Sequence, residues 1–176
     1  LVDIRQCETE EDRVAAVALM AELGAWDSRE TEKLGFRADD VLDFYYPGDS
    51  EALDDIMPSP GLTLLAYVGS DVAGCIAYRQ LDAATCEMKR LFVSPHFRQA
   101  GLGRALISAL TERARQAGYR RIRLETVIFM AGALRLYAEL GFVRRPPYYD
   151  IPEIFRPITI FMEKDLRRSG LSPVPA

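Results

Sequence analysis

The chain has one histidine, three cysteines and one tryptophan among 176 residues, and no long apolar run. Each scarcity removes a class of function. A single histidine, His96, excludes a site built from several imidazoles, and no metal is expected. The cysteines, Cys7, Cys75 and Cys86, are odd in number, and their spacing matches neither a zinc site nor a disulfide framework. That points to a reducing, cytoplasmic compartment. No run reaches the roughly 18 apolar residues of a membrane span, so no membrane partner is expected. The opening stretch "LVDIRQCETEED" is too polar for a signal peptide. No solenoid-period repeat is present. The net charge of −4 argues against a nucleic-acid binder, which carries a basic stripe.

What is there is ordinary in bulk: 49% hydrophobic and 27% charged residues, as in a globular protein. The length suits one domain, placed at residues 1–166, with "RRSGLSPVPA" (167–176) as a mobile tail. The charge is unevenly spread. Residues 1–60 hold 16 acidic and 5 basic side chains, and residues 61–176 hold 10 and 17. Either two solvated faces differ in bias, or the later part holds an anion and the early part meets a cation.

The periods sort the chain into elements. "VDIRQC" alternates as a strand. Thr9 to Asp12 reads as a capping box. The helix after it is expected to bury Val14, Val17, Ala18 and Ala21 and to end near Gly24. "ADDVLDFYY" reads as helical, and "YPGDS" and "MPSPG" as breaks. "TLLAYV", "VAGCIAYRQL" and "TCEMKRLFV" follow as three antiparallel strands. In the third, alternation places Met88 and Phe92 on one side, and Leu91 and Val93 on the other. A helix carrying Leu106, Ile107, Leu110 and Ala114 ends at Gly118. "RIRLETV" is a strand that a helical crossover should set parallel to "TCEMKRLFV". "AGALRLYAEL" is a short helix, and "FVRR" and "ITIFMEKDL" are the last strands. The fold class is mixed α/β, with a mostly antiparallel sheet of about seven strands flanked by helices.

Between a strand and a helix lies "RQAGLG". Four N–H groups at a helix start lack partners, and the helix dipole is positive there. Gly101 and Gly103 carry no Cβ, so an anion can come close to the backbone. Arg98 and Arg104 add donors suited to phosphate. The alternative is a tight turn that uses glycine for its own sake. A P-loop is excluded, because Arg104-Ala105 stands where Lys-Ser/Thr is needed. A dinucleotide fingerprint is excluded by the missing third glycine and the antiparallel strands before it.

Arg98-Gln99-Ala100-Gly101-Leu102-Gly103, with "EMKRLFVSPHFR" before and "ALRLYAELGF" after, resembles the signature of the GNAT superfamily of N-acetyltransferases. The resemblance runs from about Thr63 to Leu166; residues 8–60 share only helical character with it. It implies acetyl-CoA as cosubstrate, with pyrophosphate on the N–H groups of Gln99, Ala100, Gly101, Leu102, Gly103 and Arg104. It implies a parallel strand pair that splays to admit the pantetheine. A backbone N–H near Phe92 or Val93, after Leu91, would polarise the thioester carbonyl. Two departures stand out. Met130 occupies a position where many members carry asparagine, and "LFV" replaces "LYV".

Tyr137 is either an aromatic packing residue or, by the same resemblance, the acid that protonates the leaving thiolate. Glu87 is either the base for the acceptor ammonium or an exposed strand glutamate paired with Lys89 or Arg123. Glu125 is a second candidate base. His96 reads as structural, and Cys75 and Cys86 as core thiols. The expected mechanism is direct attack of an amine on the thioester, with both reactants held together. A non-catalytic CoA-binding sensor or partner module is the rival reading. The acceptor is expected to be a small cationic amine, or an amine on a basic partner. Its wall is placed at residues 22–55, with Glu22, Asp27, Glu30, Glu32, Asp39, Asp40, Asp43, Asp49, Glu51, Asp54 and Asp55. Trp26, Phe44, Tyr45 and Tyr46 are the aromatic rings that would face a cation. The assembly is expected to be a monomer or homodimer.

Overall fold

The period-two stretches form one mixed sheet. The computed structural model describes residues 2–45 and 60–167. Its strands are β1 (Val2–Gln6), β2 (Gly61–Val68), β3 (Asp71–Asp82), β4 (Thr85–Val93), β5 (Arg121–Val127), β6 (Val143–Arg145) and β7 (Thr159–Asp165). Four helices flank them among the described residues: α1 (Glu10–Glu32), α2 (Ala38–Tyr45), α3 (Leu102–Gln116) and α4 (Ala131–Glu139). The spatial order is β1-β2-β3-β4-β5-β7-β6. Every neighbouring pair is antiparallel except β4 and β5, which are joined through α3 and run parallel. Of the expected tail at 167–176, Arg167 is described and pairs with Asp165, while 168–176, Tyr46, and the acids at 49, 51, 54 and 55 lie outside the described residues.

Local chemistry explains the helix ends. The Thr9 hydroxyl accepts from the Asp12 N–H, and the Asp12 carboxylate accepts from the Thr9 N–H, each at 3.1 Å. This reciprocal cap satisfies two otherwise unpaired donors. Gly118 (φ +91°) and Gly141 (φ +87°) follow α3 and α4 in the left-handed conformation that stops a helix.

α1 differs from its expected form in two ways. It continues past Gly24 to Glu32, and it buries Ala16, Leu19, Met20 and Leu23 while Val14 and Val17 stay exposed. Two apolar stripes compete along this helix. The one with leucine and methionine offers more area and takes the sheet face, against Leu65, Cys75 and Phe92. A mid-helix glycine costs only about 1 kcal/mol, which this burial overrides. On the other sheet face, α3 buries Leu102, Leu106, Ile107 and Leu110 against the strands.

Gly74 marks a close approach. A Cβ there would lie 2.6 Å from the Phe92 carbonyl oxygen and 3.3 Å from Val93 Cα. Backbone cannot yield as a side chain can. Gly74→Ala is therefore expected to destabilise the fold by about 1–3 kcal/mol. A urea titration checks this; an unchanged midpoint would mean that the end of β4 moves at no cost.

Candidate active site

The site begins where two strands part. Parallel pairing of β4 and β5 covers only Thr85, Cys86 and Glu87 against Arg121, Ile122 and Arg123. Further on, β4 carries one extra residue relative to β3: Ala77 pairs with Lys89, and Cys75 pairs with Phe92. Arg90 sits in this bulge at φ +58°. The bulge reverses the alternation. Met88 faces the α3 side, Phe92 faces the α1 side, and Leu91 and Val93 rejoin the face of Met88. Met88 and Phe92 therefore do not share a side, contrary to the simple period.

Beside the split lies a groove of about 640 Å³. Leu91, Phe92 and Val93 line one wall, and Arg98, Gln99, Gly101, Leu102, Gly103 and Arg104 line its end. Ala100 is exposed and is not among the lining residues. Gln99 holds φ +68° and Gly101 φ +76°. Arg90 and Gln99 are the two non-glycine residues with positive φ among the described residues, and both flank this region. Such strain, about 1–3 kcal/mol each, collects where a site fixes the backbone. α3 begins after Gly101, which supplies no side-chain cap. The N–H groups of its first turn are thus left for an anion. The two arginines are partly engaged. Arg98 Nε donates to the Val93 carbonyl at 3.1 Å, and Arg104 pairs with Glu139 of α4. Trp26 of α1 also lines the groove, and the Arg98 guanidinium lies 5.9 Å from its ring.

A smaller cavity of about 80 Å³ adjoins the groove and shares Leu23, Leu91 and Met130 with it. Glu125, Tyr137, Asp27 and Tyr45 also line it. Burial, reinforced by the nearby charge of Glu87, raises the Glu125 carboxyl to about 7. Tyr149 donates a hydrogen bond to Glu125. Burial alone pushes the Tyr137 hydroxyl above its ordinary value, so it keeps its proton at neutral pH. Burial likewise raises Tyr45 to about 12, and its hydroxyl lies 2.8 Å from Thr159 Oγ1. Lys89 and Arg90 reach the same cavity from β4. Met130 caps α4 where asparagine is common, and its sulfur accepts from the Thr126 hydroxyl at 3.5 Å.

The candidates thus separate. Tyr137 and Glu125 share one cavity. Glu87 is neither exposed nor paired as expected: it is 1% exposed, accepts from Arg79 Nε at 2.7 Å and from the Tyr148 hydroxyl at 2.5 Å, and is not among the lining residues. The reason is register, since Arg79 is its direct partner across β3 and β4. His96 is exposed in a short 3-10 turn and lines neither cavity. Cys75 and Cys86 are buried, and burial raises both thiols, Cys86 to about 12. Of the acids expected in the early wall, Asp27 reaches the cavity. Glu30 pairs with Lys33, and Asp39 lies 3.9 Å from Arg37. Phe44 and Tyr45 pack on Phe155 at 4.8 and 5.4 Å. Sequence reasoning missed Tyr148 and Tyr149. Their one signal is a pair of tyrosines directly after two prolines in a loop between strands.

Comparison with known proteins agrees on one family. The model of the acetyltransferase (GNAT) family matches residues 26–142. An IAA acetyltransferase from Azospirillum brasilense is 34% identical over 132 residues, which cover 73% of this chain and 85% of that protein. An acetyltransferase of the GNAT family from Staphylococcus aureus superposes with a TM-score of 0.71 at 16% identity, over 95% of this chain and 100% of that one. A GNAT family acetyltransferase from Elizabethkingia anophelis with acetyl-CoA bound gives a TM-score of 0.61 at 18% identity, over 93% and 97%. At these identities, the two structures speak for the fold.

Proposed function

The chain belongs to the GNAT acetyltransferase family, whose members use acetyl-CoA, and from that premise we propose that it transfers an acetyl group directly to a primary amine. Residues 1–166 act as one catalytic domain in this reading. One observation carries it: Glu125 and Tyr137 line one small cavity that adjoins the groove on which the glycine loop lies.

The groove fits the cosubstrate. Its glycine-led helix start suits a pyrophosphate, and the strand split leaves space for a narrow arm. Leu91, Phe92 and Val93 supply the β4 wall, and the N–H groups there meet the developing oxyanion. Arg98 and the main chain from Gln99 to Arg104 hold the phosphates. The Arg104 side chain, paired with Glu139, contributes less than its backbone.

Glu125 accepts the proton of the acceptor ammonium, and its value near 7 suits that task. Tyr137 keeps its proton and gives it to the leaving thiolate. Burial raises both groups, which leaves Glu125 able to exchange a proton near neutrality and Tyr137 still holding its own. Cys75 and Cys86, buried and held as thiols, are poorly suited to a covalent intermediate. Asp27 and Glu125 together favour a cationic amine, and Glu87 is set aside from direct proton transfer.

Thiol release from acetyl-CoA over a panel of basic, neutral and acidic amines tests this. Turnover with small cationic amines is the expected result. Acetyl-CoA binding without turnover on any amine would support a non-catalytic module, and a preference for acidic acceptors would overturn the cationic assignment. Tyr137→Phe should lower kcat by about 10²-fold or more while acetyl-CoA affinity stays near wild type. An unchanged kcat, with chemistry rate-limiting, would return Tyr137 to a packing role.

A further inference from the structure

The reaction above uses Glu125 and leaves a second buried carboxylate, Glu87, without a task. Charged side chains are almost never this buried unless held by partners. Glu87 sits on the last rung of the parallel ladder, opposite Arg123, just before the strands part. Arg79 and the Tyr148 hydroxyl hold it at 2.7 and 2.5 Å. The next residue, Tyr149, donates to Glu125. The two rings pack on each other at 5.2 Å and on Phe161 at 5.0 and 5.3 Å. Phe161 is itself the cross-strand partner of Glu125. One dipeptide therefore holds both carboxylates at the split.

We propose that Tyr148 and Tyr149 form a positioning clamp, in which Tyr148 and Arg79 pin Glu87 beside the base while Tyr149 aims Glu125 into the cavity. The catalytic meaning of the clamp rests on Glu125 being the base; its geometry does not. The groups that face Glu125 come from several elements. β4 supplies Glu87, Lys89 and Arg90, and β3 supplies Arg79. The loop supplies Tyr149, and Asp27 of α1, Tyr45 of α2 and Tyr137 of α4 line the same cavity. Glu87 strengthens the hold of Glu125 on its proton, whereas Lys89, Arg90 and Arg79 weaken it. A hydroxyl donated to a carboxylate favours the charged form, so Tyr149 opposes Glu87. The clamp thus balances two opposite influences on one group.

The two halves predict opposite shifts. Glu87→Gln keeps the shape and removes the charge, so Glu125 should lose its proton at lower pH. Tyr149→Phe removes a donor to the charged form, so Glu125 should lose its proton at higher pH. Each shift should be on the order of one pH unit. The readout is the side-chain carboxyl ¹³C signal of Glu125 against pH, assigned by its disappearance in Glu125→Gln. It needs no acceptor. Opposite movements in Glu87→Gln and Tyr149→Phe, with Tyr148→Phe broadening or displacing the wild-type titration, support the clamp. Titrations that stay in place in folded variants overturn it, whatever the base proves to be. If the carboxyl shifts but the acid limb of kcat/KM does not follow, the base assignment fails and the clamp stands.

Discussion

Glu125→Gln is expected to lower kcat by about 10²–10⁴-fold, the usual contribution of a positioned base. The same change should make the protein more stable above neutral pH. The sign follows from proton binding. In the fold, Glu125 keeps its proton up to about 7, against an ordinary 4.5. Between those values the folded state holds a proton that the unfolded chain releases. Stability is therefore highest below the unfolded value and falls as pH rises through the window. Above about pH 7 the cost of a buried carboxylate is complete, about 1–3 kcal/mol after allowance for partial exposure. Glutamine carries no such cost. The wild type should lose activity below about pH 7 as Glu125 is protonated. Thermal melts above and below neutrality, beside a pH profile of kcat/KM, check both halves. A variant that keeps its rate, or that melts lower than wild type at high pH, would remove Glu125 from the base position.

The strands and the glycine loop were legible because each has a local cause. Period-two stretches mark β2 to β5, and Gly101 and Gly118 mark the ends of α3 by their conformation. The site was less legible because it depends on what lies across the sheet. Glu87 reads as either a base or an exposed strand glutamate until β3 sets Arg79 opposite it. Glu125 follows Glu87 by 38 positions along the chain, yet its raised affinity for a proton depends on that neighbour. Tyr148 and Tyr149 arrive from a proline-rich loop whose path no short-range pattern fixes. The bulge at Arg90 is the clearest case. One extra residue in β4 turns every later side chain over, and a strict alternation misplaces Phe92. α1 shows the same limit in a helix. Periodicity picked the stripe of Val14 and Val17, whereas the sheet beneath buries that of Leu19 and Leu23.

Gly101→Glu is expected to weaken acetyl-CoA binding by on the order of 100-fold or more, since like charges brought together cost several kcal/mol. The residue stands at φ +76° before the first turn of α3. A Cβ there meets nothing within 4 Å, so the first atom of an added side chain does not clash. Left-handed backbone costs a residue other than glycine about 1–2 kcal/mol, which a folded domain can absorb. The damage would then come from placing a carboxylate where phosphates are received, not from unfolding. Gly101→Asn separates the two effects. Asparagine tolerates this conformation and adds no charge, so it should keep most of the affinity. The measurement is built into the chain, because its one tryptophan, Trp26, lines the same groove. Its emission should change as acetyl-CoA is added to wild type and Gly101→Asn, and stay flat in Gly101→Glu over the same range. Equal titration curves for all three proteins would place the phosphates away from this loop.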